Sequence, residues 1–156
     1  MKKVYFISVL CIFLPLSVSA QKIQEKQFAV GTDIALLPSI SFGITAQYNI
    51  NSQFTVKGNF GLSGALKVSG ISAQYKLVFL DTKQPYVYAM FGSMSHNSAS
   101  KRTFGLGIGV NYFFNPKIPF YGTFEVGYMS IPDFDDVVKG IPLSISAGLK
   151  YGFSLY

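Results

Sequence analysis

The sequence predicts an all-β protein, specifically an eight-stranded antiparallel up-and-down transmembrane β-barrel. Three observations support this prediction: long segments of alternating apolar and polar residues, an apolar segment at the N-terminus, and a final strand rich in aromatic residues. Alternation of this kind gives a strand one apolar face and one polar face. A chain of 156 residues is a natural length for one domain.

The clearest alternation is in the last predicted strand, residues 141–153. Every second residue from Ile141 to Phe153 is apolar, and the residues between them are small or polar. The segment is longer than the roughly 9–11 residues that a tilted strand needs to cross a bilayer. Its aromatic finish, Tyr151, Phe153 and the terminal Tyr156, resembles the C-terminal signal that the outer-membrane barrel assembly machinery reads.

The N-terminus predicts a cleaved signal peptide over residues 1–20. Lys2 and Lys3 precede an apolar segment, 4–16, and a small-residue pattern ends at Ala20. An N-terminal membrane anchor is the alternative, but the apolar segment is shorter than the roughly 20 residues that a spanning helix needs. Cleavage leaves residues 21–156 as a single domain and lowers the net charge from +6 to +4.

Cleavage also removes Cys11, the only cysteine, which excludes disulfides and cysteine-bound metals from the exported domain. The remaining lysines are scattered along the chain, so the sequence does not predict a nucleic-acid-binding surface.

Seven further strands are predicted upstream of the last one. They are residues 28–37, 39–49, 53–63, 69–80, 85–95, 103–114 and 119–130. Strand 85–95 is apolar on both of its faces, so the sequence does not say which face is inside. The longest predicted links, 95–102 and 131–140, fall on the same side of the barrel. Outer-membrane barrels show this asymmetry between short periplasmic turns and longer external loops.

Charged residues within the predicted strands fall on the polar face of each strand. They are Asp33, Lys57, Lys76, Glu125 and Lys150. In a membrane barrel this face lines the interior, because a charge that faces lipid costs about 2–4 kcal/mol at the bilayer midplane. We therefore predict an interior network in which the three lysines pair with the two acids and plug the barrel. A soluble ligand-binding barrel would have the opposite assignment of faces.

The export signal, the eight strands and the terminal segment 147–153 together resemble the OmpA/OmpX-like small outer-membrane β-barrels. The resemblance covers the whole exported chain and implies location in the outer membrane of a Gram-negative cell. It also implies contact with outer-membrane lipid and lipopolysaccharide, assembly by the barrel machinery, and a monomeric state. No cofactor and no metal are expected.

The predicted function is a structural or surface-interaction barrel with a plugged polar interior, and not an enzyme. Three alternatives stay open: a narrow-pore channel, a soluble periplasmic barrel that binds a hydrophobic ligand, and a lipid A-modifying enzyme. The last rests on His96-Asn97-Ser98, which resembles the H-x-S motif of lipid A deacylases, with His as general base and Ser as nucleophile. The position that should carry the family's acid is Val110, which leaves the third role unfilled.

Two groups of charges in the predicted external loops are candidate surface contacts. Lys101 and Arg102 fit the phosphates of lipopolysaccharide. Asp133, Asp135 and Asp136 offer oxygen ligands of the kind that Ca²⁺ takes, although their spacing matches no calcium-loop motif. Ordinary solvated loop charges are the simpler interpretation of both groups.

Overall fold

The structure is a computed structural model that describes residues 27–37, 40–64, 66–77, 80, 82–96, 99–115, 118–130 and 142–154. Its strands are β1 (Gln27–Leu37), β2 (Ser41–Asn49), β3 (Phe54–Ser63), β4 (Leu66–Lys76), β5 (Lys83–His96), β6 (Ala99–Phe113), β7 (Phe120–Met129) and β8 (Leu143–Ser154). The described residues include no helix that is long and apolar enough to cross a membrane. The predicted signal peptide, 1–20, lies outside the described residues.

The strands pair in chain order, and β8 pairs antiparallel with β1 to close the barrel. The closing ladder runs from Gln27 opposite Ser154 to Leu37 opposite Ile145, with one register shift near its end. Closure leaves no strand edge, which a bilayer requires because lipid cannot satisfy free backbone N–H and C=O groups. The predicted eight-stranded antiparallel transmembrane barrel is therefore confirmed.

The polar face of each strand points into the barrel and the apolar face points outward, which is the reverse of a soluble barrel. On β2, Phe42 and Ile44 point outward and are each 64% exposed, whereas Gln47 and Asn49 point inward and are each 1% exposed. The same alternation holds on the other strands. Polar side chains therefore fill the interior and aliphatic side chains cover the outer wall.

Strand β5, whose faces the sequence left undecided, follows the same rule. Tyr86, Tyr88 and Met94 point inward and are buried, while Val87 and Phe91 point outward. Tyrosine and methionine tolerate either environment, so the alternation of hydrophobicity carries little information on this strand.

An aromatic belt surrounds the outer wall at the end of the barrel where β1 begins and β8 ends. Its rings are Phe28, Tyr48, Phe54, Tyr75, Tyr112, Phe114, Phe120, Tyr151 and Phe153. Phe104 and Tyr128 form a second ring contact toward the other end. From Phe104 to Phe114 the chain advances about 33 Å at about 3.3 Å per residue. A strand tilt of about 40° reduces this to about 25 Å, the height of the apolar band in outer-membrane barrels.

The predicted loop at 95–102 is wrong. β5 continues to His96 and β6 begins at Ala99, with Ser95 opposite Ser100, so that only residues 97–98 connect the two strands. Polar composition at this end of the strands reflects contact with water and not a loss of pairing. The fourth strand is also shifted, since it runs from Leu66 to Lys76 instead of over 69–80. Of the links on this side, only the one between β7 and β8 is long, so the predicted asymmetry depends on that link alone.

The outward face of β2 gives a direct test of the lipid-facing wall. We expect Ile44→Arg, in the middle of the strand, to lower the free energy of unfolding by about 2–4 kcal/mol, and Ile40→Arg, beside the strand end, by about 0–1 kcal/mol. Both isoleucines are 64% exposed, so burial in protein does not distinguish them. Urea unfolding in phospholipid vesicles measures both values, and equal costs at the two positions would contradict a lipid-facing wall.

Candidate functional site inside the barrel

The centre of the interior is organised around the carboxylate of Glu125 on β7. Its Oε1 accepts hydrogen bonds from Lys57 Nζ at 2.5 Å, Tyr86 Oη at 2.8 Å and Gln74 Nε2 at 3.3 Å. Its Oε2 accepts one from Ser146 Oγ at 3.2 Å. The donors come from β3, β5, β4 and β8, so one buried carboxylate connects five of the strands.

Lys57 on β3 links Glu125 to the second interior acid, Asp33 on β1. Its Nζ lies 3.9 Å from Asp33 Oδ2, and its side chain is 6% exposed. The cluster therefore contains two carboxylates around one ammonium. A buried charge is tolerated only when it is paired and its remaining hydrogen-bonding positions are satisfied, and the polar donors around Glu125 meet that requirement.

The other two interior lysines do not pair with the acids as the sequence predicted. Lys76 Nζ donates to Asn49 Oδ1 at 2.8 Å, and Lys150 Nζ lies 3.5 Å from Gln47 Oε1. Within the described part of the chain, both ion pairs closer than 4.0 Å involve Lys57. For Lys76 the reason is register. Lys57 on β3 stands opposite Ser72 on β4, and Lys76 lies about 13 Å further along β4.

A second polar cluster surrounds Asn49 toward the end of the barrel that carries the aromatic belt. Asn49 Oδ1 accepts from Lys76, from Thr55 Oγ1 at 2.7 Å and from Gln47 Nε2 at 3.3 Å. An amide oxygen thus takes the place that the sequence assigned to a carboxylate. Alternation along the strand does not indicate this partnership.

Glycines on β6 and β7 make room for the two large tyrosines of β5. A Cβ atom built on Gly109 would lie 2.4 Å from Cζ of Tyr86, and one on Gly127 would lie 2.6 Å from Oη of Tyr88. The position of these glycines in the sequence does not reveal which residues use the space. With this clearance Tyr86 reaches across the interior to Glu125.

A cavity of about 100 Å³ adjoins the central cluster. Asp33, Lys57 and Glu125 line it, and so do Met90, Met94 and Met129. Met94 and Met129 pack together, with Val68 and Met90 against them. A cavity of this size can hold several water molecules. This methionine cluster was not predicted from the sequence, although Met90 and Met94 lie on the same face of β5.

The remaining predicted site residues that the structure describes lie outside the central cluster. Tyr151 and Phe153 belong to the outer aromatic belt, with the ring of Phe153 5.7 Å from that of Phe28. Their role as an assembly signal stays a prediction, and Tyr156 lies outside the described residues. Asp133, Asp135 and Asp136 also lie outside them. The described residues contain no group of three or more His, Cys, Asp and Glu side chains that could hold a metal ion.

Lys101 and Arg102 are exposed but do not form a loop pair. They are consecutive residues of β6 and therefore point to opposite faces; Arg102 stands opposite Ser93, and Lys101 opposite Met94. His96 is the last residue of β5, and the other residues of its motif, Asn97 and Ser98, lie outside the described residues.

Barrels of the same architecture are found among solved membrane proteins. The N-terminal β-barrel domain of Pseudomonas aeruginosa OprF superposes with a TM-score of 0.64 at 14% identity, covering 83% of this chain and 98% of that one. A de novo designed transmembrane β-barrel gives 0.62 at 15% identity, covering 85% and 99%. Neisserial surface protein A (NspA) gives 0.51 at 20% identity, covering 81% and 95%.

No protein-family profile and no curated protein sequence matches the chain. At these identities the likeness concerns the fold alone. The closed barrel, its polar interior and its apolar outer wall define a small transmembrane β-barrel. The fold is that of the OmpA/OmpX-like small outer-membrane barrels, which confirms the resemblance seen in the sequence.

The central ion pair makes a prediction about stability. We expect Lys57→Met to lower the free energy of unfolding by about 3–5 kcal/mol, because it leaves the buried Glu125 carboxylate and the partly buried Asp33 carboxylate without the ammonium that pairs with both. The double variant Lys57→Met with Glu125→Leu removes the closer of the two ion pairs, and we expect it to recover part of that loss, because Asp33 still loses its cation.

The same denaturant unfolding in vesicles measures both variants. Lys67→Met, which removes a lysine from the exposed surface of β4, is the matched control and should cost less than about 1 kcal/mol. A double variant that is less stable than Lys57→Met would contradict the unpaired Glu125 carboxylate as the main cause of the loss.

Proposed function

We propose that this protein is a non-catalytic outer-membrane barrel of structural or surface-interaction type, with an interior closed by its own side chains. The observation that carries the proposal is the contact between Lys57 and Glu125. β3 and β7 lie on opposite sides of a closed ring of eight strands, so this ion pair spans the interior. Tyr86, Gln74 and Ser146 fill the space around it from three more strands.

Location in the outer membrane is supported by the apolar wall, the aromatic belt and the predicted signal peptide. A soluble periplasmic carrier would have to hold Phe42, Ile44 and Ile71 in water at about two-thirds exposure. Contiguous apolar surface on that scale marks a membrane or protein contact. The same wall supports contact with membrane lipid, and the Tyr151 and Phe153 pair supports recognition by the barrel assembly machinery.

The enzymatic alternative has less support. Val110, which occupies the position expected for an acid, stands opposite Pro85 and Phe124 on the outward-facing side of β6. A serine nucleophile needs a base that is held by a third group. Neither described carboxylate lies at the end of the barrel that carries His96, because Asp33 and Glu125 both lie in the central cluster.

Conductance measurements test the plugged interior. We expect the wild-type protein to give no stable conductance in a planar bilayer, because a small eight-stranded interior is filled by side chains. The variant with Lys57, Tyr86 and Glu125 all replaced by Ser should conduct, since it removes the residues that span the centre.

Lys67→Ser, on the outer face, should stay silent and serves as the control. A faster-migrating unboiled band on a detergent gel shows that each variant is folded before its recording is interpreted. A large, stable wild-type conductance would overturn the proposal in favour of a channel.

A further inference from the structure

At the end of the barrel opposite the aromatic belt, β4, β5 and β6 carry a polar and basic surface next to the apolar wall. Two rows of cross-strand neighbours form it, both on the outward faces. One row is Lys67, Ser95 and Ser100, and the next is Ser69, Ser93 and Arg102. We call these six residues the outer shelf.

The outer shelf is rich in hydrogen-bond donors. Ser69 and Ser93 are joined through their hydroxyl oxygens at 3.1 Å, and Ser95 donates to Ser100 at 3.0 Å. Lys67 and Arg102 are exposed on either side of these serines. The carboxylates that the structure describes, Asp33 and Glu125, both lie inside the barrel, so within the described residues the outer shelf carries positive charge only.

An apolar groove on the outer wall leads directly to the outer shelf. The next row of outward residues toward the aromatic belt is Ile71, Phe91 and Phe104. The surface therefore changes from polar to apolar between two neighbouring rows. Further round the wall, Ala46 and Gly58 stand opposite each other and form a floor of small residues between Ile44, Phe60 and Val30. The groove is lined continuously from this floor to Ser93 and Arg102.

The floor at Gly58 is open. A Cβ atom built there meets only the carbonyl oxygen of Ala46, at 3.9 Å, whereas most interior glycines have no such room. A side chain can therefore be added at Gly58 without displacing the backbone, and it would fill the groove from the lipid side.

We propose that the groove and the outer shelf together bind one lipid molecule with a phosphorylated headgroup. Its acyl chain would lie over Ala46 and Gly58, and its phosphate would meet Arg102, Lys67 and the serine hydroxyls. A guanidinium binds phosphate oxygens in a bidentate manner, and hydroxyls complete the remaining acceptor positions. Charge complementarity selects an anionic lipid over a second copy of this chain, which would bring its own positive shelf. The inference rests on the proposed membrane location.

Native mass spectrometry of the purified full chain in detergent tests the proposal, with phosphatidic acid as the probe and phosphatidylcholine of the same chain length as its neutral comparison. We expect one phosphatidic acid retained per barrel, and at least about a tenfold weaker retention in the variant Lys67→Gln with Arg102→Gln. Gly58→Leu should also weaken retention, because it occupies the groove.

Two substitutions elsewhere serve as controls. Lys83→Gln removes one positive charge at the other end of β5, and Ala147→Leu adds the same side chain to the outward face of β8. Both should retain lipid as the wild type does. A heat-dependent gel shift for every sample separates a failed barrel from a failed lipid site.

Three results would overturn the proposal. Unchanged retention in the charge variant would remove the phosphate contact. Displacement of the lipid by inorganic phosphate at equal concentration would indicate a small-anion site. A dimer mass that is lost on Gly58→Leu, without lipid adducts, would assign the groove to a second copy.

Discussion

The closing ladder between β1 and β8 is the constraint on which the rest of the structure depends. A bilayer offers backbone N–H and C=O groups no partner, so eight strands stay in lipid only if the last pairs with the first. Closure fixes which side of each strand is inside, since side chains alternate with a period of two. A shift of one residue in the pairing of β3 or of β7 would turn Lys57 or Glu125 toward lipid. The interior charges therefore favour the observed register, and that register keeps the charges inside the barrel.

The interior contains charge although a small barrel could be filled with apolar residues. Its charges are distributed in two levels, with Lys57, Asp33 and Glu125 at the centre and, toward the aromatic belt, Lys76 beside Asn49 and Lys150 beside Gln47. Tyr86 and Tyr88 extend over glycines of β6 and β7, where an added side chain would fill the space that the rings occupy. Toward the other end the polar filling gives way to methionines. The barrel is therefore a packed core with polar contents, and its function depends on the outer wall and the ends of its strands.

Alternation predicted the strand number, the topology and the inward position of all five strand charges, because it depends only on the local period of two. It failed where residues suit both environments, as on β5. It also failed where partnership depends on register around the ring, which a single sequence does not display. The pairing of Lys76 with Asn49 instead of a carboxylate is the clearest case. The segment 95–102 was mistaken for a loop because polarity beyond the membrane resembles the composition of a turn.

The inside-out arrangement is tested most directly with tryptophan, since the chain contains none. Phe113 and Phe114 are consecutive residues at one depth; Phe113 is 6% exposed on the inward face, and Phe114 is 54% exposed in the aromatic belt. Phe114→Trp should be strongly quenched by lipids brominated near the headgroup end of their acyl chains, and Phe113→Trp should be nearly unaffected. Quenching of Phe113→Trp with Phe114→Trp spared would show that the faces are inverted, and that the apolar side lines the interior.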